Sequence, residues 1–129
     1  MSNALMPAGG KENVLLEKSF AFGVRMFKLG RHLQSEQKEY VVSKQVVRSG
    51  TSIGANAEEA VGGISKADFS AKISVAYKEA RETSYWLRLL HAADCLPSPL
   101  FESLEADCQE LCRILFSILR TSGRIQDET

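Results

Sequence analysis

This chain of 129 residues predicts an all-α fold, an antiparallel up-down-up-down four-helix bundle. Three observations lead there. Apolar residues recur at three- and four-residue steps in four separate segments, and no period-two run is long enough for a strand. The connections between segments are short, which makes successive helices antiparallel neighbours. Helices are expected near 12–34, 38–61, 66–94 and 98–121.

The first segment carries the stripe Leu15, Ser19, Phe22, Met26, Leu29 and Leu33. A second stripe, Leu16, Phe20, Val24 and Phe27, lies beside it. Together they are wider than one bundle seam needs. Phe20, Phe22, Met26 and Phe27 are therefore candidates for burial against a neighbouring chain, although Phe22 and Phe27 fit the subunit's own core equally well. The second segment gives Val42, Val46, Ser49, Ile53, Asn56 and Ala60. Gly50 and Gly54, one turn apart, make a small-residue face beside that stripe. Each glycine costs a helix roughly 1 kcal/mol relative to alanine, so another backbone is expected to approach there. That backbone belongs either to the same chain or to a second subunit. Gly62 and Gly63 are expected to end this helix in the left-handed conformation.

The third segment gives Phe69, Ile73, Ala76, Ala80, Thr83, Leu87 and Leu90, with Ser65 as its cap and Asp68 completing an approximate capping box. The fourth gives Leu104, Cys108, Leu111, Leu115 and Ile118, opened by Ser98 as N-cap and Pro99 at the first helical position. The bundle is expected over residues 12–122, with a disordered segment at 1–11 and a flexible tail at 123–129. Ser2-Asn3-Ala4 reads as an expression-tag scar.

Composition narrows the function. Net charge is zero, from 16 basic and 16 acidic side chains. Residues 1–93 hold 13 basic and 9 acidic residues, and residues 94–129 hold 3 and 7. A dedicated nucleic-acid binder usually has a clear basic excess, so such a role has to rest on a local patch. Arg25, Lys28 and Arg31, with His32, form one on the first helix. Glu102, Glu105, Asp107 and Glu110 form an acidic counterpart on the fourth, suited to head-to-tail attraction between subunits. Neither a secretory signal nor a membrane span is evident. Three cysteines, an odd number, fit reduced thiols and a cytoplasmic location.

Gln45, Arg48, Ser52, Asn56 and Glu59 make a polar stripe on the second helix. If the hairpin turns near Gly63, Arg48 lies level with Glu79, one turn from Glu82. A partly buried contact from Arg48 to Glu79 or Glu82 is therefore expected. Asn56, on the apolar seam, is expected to set register or to bond a backbone group. Glu79 and Glu82 as paired acid–base or metal carboxylates are the weaker reading, because neither His32 nor His91 supplies the Glu-x-x-His spacing of di-iron bundles. No nucleophile motif and no phosphate-cradling glycine loop is present.

With these residues in view, the chain resembles a bacterial family of four-helix bundles encoded in intervening sequences of large-subunit (23S) ribosomal RNA genes. The resemblance runs over about residues 13–121. It rests on Arg48, Ser52-Ile53, Asn56 and Glu59, then Ser65-x-x-Asp68-Phe69, then Lys78-Glu79-Ala80-x-Glu82-Thr83-x-Tyr85-Trp86-Leu87. It implies a homopentamer. Similar proteins include the accessory protein of diversity-generating retroelements, a basic pentamer that engages RNA and a reverse transcriptase. Ala57-Glu58 and Ala60 depart from the Ile-Ala and Gly commoner in the family, and the neutral charge departs from that accessory protein. The expected function is a non-enzymatic, ring-forming interaction protein whose partner is itself and a protein or structured RNA. It needs no cofactor, metal, membrane or small-molecule substrate. The alternative is a nucleic-acid-binding accessory factor acting with a reverse transcriptase or structured RNA.

Overall fold

The computed structural model describes residues 10–122, and all of its regular structure is helical. The helices are α1 (Gly10–Ser35), α2 (Val42–Val61), α3 (Lys66–Ala92) and α4 (Ser98–Thr121). They form a four-helix bundle in which α2 packs on α1 and α3, and α4 packs on α3 and α1. The backbones of the diagonal pairs α1–α3 and α2–α4 stay apart, on opposite sides of the shared core. Contacts between α2 and α3 run Glu59–Lys72, Ser49–Thr83 and Arg48–Glu82, so falling numbers on one helix meet rising numbers on the next. The core takes Leu15, Phe22, Met26 and Leu33 from α1, and Val46, Ile53 and Ala57 from α2. Ile73, Ala80 and Leu87 on α3 and Leu104, Cys108, Leu111 and Leu115 on α4 complete it. No helix among the described residues is long and apolar enough to cross a membrane.

The expected ends need several corrections. Gly10 and Lys11 already belong to α1, while residues 1–9 and 123–129 of the expected terminal segments lie outside the described residues. α2 begins at Val42, four residues later than position 38. Lys38 has a left-handed φ of 55° that breaks the chain direction. Glu39 then offers its carboxylate to the amides of Val41, Val42 and Ser43, at 3.0, 2.9 and 2.6 Å. Those amides have no intrahelical acceptor, and the anion also favours the helix N-terminus. Replacing Glu39 with alanine should lower the unfolding free energy by about 1–2 kcal/mol in a urea titration.

Ser65 caps α3 as expected, its hydroxyl accepting from the Asp68 amide at 3.0 Å. Gly62 ends α2 at a φ of −84°, so no left-handed turn is used there. Gly63 is needed for room instead. A Cβ on it would collide with the Asp68 carboxylate and lie 3.1 Å from the Ala60 carbonyl. At the start of α4, Pro97 occupies the cap position without a side-chain cap bond, and the Ser98 hydroxyl pairs with His91 Nε2 at 3.0 Å.

The small face of α2 is consumed inside the subunit. A Cβ on Gly50 would overlap Met26 and lie 2.9 Å from its Cβ, and one on Gly54 would come within 3.3 Å of the Ser19 carbonyl oxygen. The reverse holds on α1, where Gly30 accommodates the Val47 side chain. Gly50, buried, and Gly54, half-buried, therefore bring α1 and α2 together within the subunit.

Candidate functional site

Three polar features lie on the surface of the bundle. The first is the α2–α3 seam. Arg48 Nη1 donates to Glu79 Oε1 at 3.2 Å, Nη2 makes a short contact with Glu82 Oε2, and Nε donates to Gln45 Oε1 at 3.3 Å. The Trp86 indole N–H donates to the same Glu82 oxygen at 2.9 Å. Beneath this group, the Thr83 and Ser49 hydroxyls pair at 2.8 Å within the core. Ser52 bonds the Arg48 carbonyl at 2.7 Å, and Lys72 pairs with Glu59 at 2.8 Å. The hydrogen bond that Lys72 donates to Glu59, and then the Glu59 charge, raises the Lys72 ammonium above its ordinary range.

The level-matching expectation for Arg48 agrees with this geometry, but its burial does not. The Arg48 side chain is 47% exposed, Glu79 20% and Glu82 37%. Water screens such a pair, so replacing Arg48 with alanine should cost about 1 kcal/mol or less. A loss of several kcal/mol in the same titration would show that the seam acts as a buried network. Asn56 bonds a backbone group as expected, but from a position off the apolar seam. Ala57 takes the core position, and Asn56, half-buried at the edge, donates to the Ser52 carbonyl at 2.9 Å. Helical drift explains the shift, since the inward row steps from Ile53 to Ala57 and then to Ala60.

The second feature is α1. Arg25 Nη1 donates to Asp107 at 2.6 Å and Nη2 to Ser103 at 3.1 Å, and Lys18 pairs with Glu110 at 3.3 Å. Part of the basic face of α1 thus meets part of the acidic face of α4 within one chain, and Arg25 is paired there. Lys28 and Arg31 remain exposed, with the Arg31 guanidinium 6.0 Å from the Phe27 ring centroid. Of the four interface candidates, Phe22 and Met26 are buried in the subunit's own core. Phe20 and Phe27 point outward, 70% and 55% exposed, with Val24 between them at 40%.

The third feature is a groove between α3 and α4, with a volume of about 1410 Å³. Lys78, Arg81 and Arg88 line it from α3, and Arg113 from α4, with Tyr77, Tyr85 and Phe116 between them. Arg81 lies 5.9 Å from the Tyr77 centroid, and Arg88 the same distance from Tyr85. At its base, Glu105 Oε2 accepts from Ser84 at 2.7 Å and from Gln109 at 2.9 Å. Its other oxygen, Oε1, is the one buried side-chain N or O atom without a hydrogen-bond partner among the described residues. A buried acceptor left so costs about 1–3 kcal/mol. Cys112 also reaches this groove. The neighbouring Cys108 thiol, with Arg81 and Arg113, lowers the Cys112 thiol, while Cys112 and burial raise Cys108, whose S–H donates to the Ala80 carbonyl at 3.2 Å. Sequence reasoning missed the groove. The signal was available in the seven-residue spacing of Arg81 and Arg88, which places both on one face of α3.

Comparison with known proteins agrees with the geometry. The family model described as 23S rRNA-intervening sequence protein matches residues 11–117. A crystal structure from Bacteroides thetaiotaomicron VPI-5482, described as a protein of unknown function from the S23 ribosomal protein family, is 47% identical to this chain. It superposes with a TM-score of 0.84, the match covering 85% of this chain and 98% of that one. No curated protein matches significantly. A family match along most of the chain and a close structural relative place it without ambiguity, and the chain belongs to the 23S rRNA-intervening sequence protein family.

Proposed function

We propose that this chain is a non-enzymatic interaction protein, an antiparallel up-down-up-down bundle that assembles with copies of itself into a closed ring in the cytoplasm. The observation that carries the reading is the outward row Phe20, Val24 and Phe27 on α1. These residues sit at steps of four and three on a helix whose other stripe already fills the core, and among the described residues they stay 40–70% exposed, with only the Arg31 guanidinium near the Phe27 ring. A contiguous apolar strip of this kind marks a contact surface. The count of five comes from the family resemblance. Charge has little part in the contact, because Arg25 and Lys18 close onto α4 of their own chain.

The test is the double variant Phe20→Asp/Phe27→Asp. It should keep its helicity by circular dichroism and scatter light as a single 14.2 kDa chain, while the unaltered protein is heavier. Equal masses for the two proteins would remove α1 as the contact surface.

A further inference from the structure

We propose that the α3–α4 groove binds an unpaired nucleic-acid strand, with phosphates on Arg81, Arg88 and Arg113 and a base stacked on Tyr85. The first observation is how the cations are used. Lys18, Arg25, Arg48 and Lys72 all pair with carboxylates of the same chain. Lys78, Arg81, Arg88 and Arg113 line one groove and pair with no carboxylate among the described residues. Two carboxylates, Glu82 and Glu105, also line the cleft, but Glu82 is paired with Arg48, so a cationic excess remains whose field draws an anion. From Lys78 to Arg88 the row runs about 15 Å along α3, at 1.5 Å per residue, which suits an extended anion with several charges.

The second observation is the aromatic surface among the cations. Tyr85 is 50% exposed beside Arg88, and Tyr77 stands 5.8 Å from Phe116, centroid to centroid. A cationic groove with exposed rings is how proteins hold single strands, because every base has a face to stack. The third observation is Glu105 Oε1, buried at the base of the groove without a donor. The exocyclic amino groups of bases supply such donors, as when a carboxylate accepts from cytosine N4. An acidic peptide would meet the same carboxylate as repulsion. Duplex nucleic acid keeps its base faces stacked away from Tyr85. The site, between α3 and α4, is separate from the outward face of α1.

Fluorescence anisotropy of the full chain with a labelled, mixed-sequence, single-stranded RNA of about twelve nucleotides tests this, covering the 4–16 nucleotides of known single-strand sites. Binding should weaken with salt at a log–log slope of about −2, the value for three phosphate contacts. Arg81→Glu/Arg113→Glu should weaken it about tenfold or more with unchanged circular dichroism. Lys28→Glu/Arg31→Glu on α1 should leave it within about threefold, because those side chains lie outside the groove. Tyr85→Leu should cost about tenfold with the salt slope unchanged. The proposal is overturned if the RNA does not bind at 50 mM salt, or if Tyr85→Leu has no effect. It is also overturned if the α1 pair matters as much as the groove pair. Equal binding of a duplex, or equal competition by polyglutamate, would contradict it too. Binding of mononucleotides alone would show a nucleotide pocket in place of a strand site.

Discussion

Replacing Phe22 with aspartate should abolish folding. The ring is 2% exposed and sits between α1 and the rest of the core. Removing a buried phenylalanine side chain costs about 3–5 kcal/mol. An unpaired carboxylate in its place adds several kcal/mol of desolvation. The sum rivals the 5–15 kcal/mol that typically holds a domain of this size together. Circular dichroism at 25 °C should show helicity lost or greatly reduced. Phe27→Asp, five residues along the same helix, should leave the spectrum unchanged, because that ring is 55% exposed. A folded Phe22→Asp protein would mean that α1 is turned the other way.

The second large effect is expected at Gly50. A valine there would drive its Cβ into Met26, which is fully buried and has no free side to move toward. The clash reaches the Met26 Cβ, at 2.9 Å, so a rotamer change at the end of that side chain does not relieve it. Overpacking of this kind costs about 1–3 kcal/mol and occasionally more, and the loss of a helical glycine returns somewhat less than 1 kcal/mol. Met26→Ala alone should cost about 2–5 kcal/mol by opening a cavity. Combined, the two changes should cost clearly less than their sum, because the valine occupies the space that Met26 leaves. Additive losses in urea titrations would show that α1 and α2 do not meet at this point.

The fold was legible because its signals are local. Four stripes, the Ser65 cap and the proline pair around Ser98 each depend on a few neighbouring residues. What was not legible depends on where helices sit in space. The two stripes of α1 differ by one step around the helix, and periodicity alone cannot say which faces inward. The core took Phe22 and Met26, leaving Phe20 and Phe27 outside. The small face of α2 was visible as a sign of close approach, but Gly30 on α1 identifies the approaching helix only once Val47 is seen against it. Arg25 and Asp107 read as separate patches because 82 positions divide them in sequence. The start of α2 was misplaced because Glu39 caps from outside the usual Ser, Thr, Asp and Asn set.

Self-assembly is the claim on which the functional account depends, and mass in solution addresses it most directly. Light scattering coupled to size exclusion, across about 1–100 µM protein, spans the affinity range of ordinary oligomers. Ring assembly predicts one species near five times the 14.2 kDa chain mass, steady over the upper part of that range. A mass of 14.2 kDa at every concentration would contradict it, and the outward face of α1 would then be an unoccupied surface on a single chain.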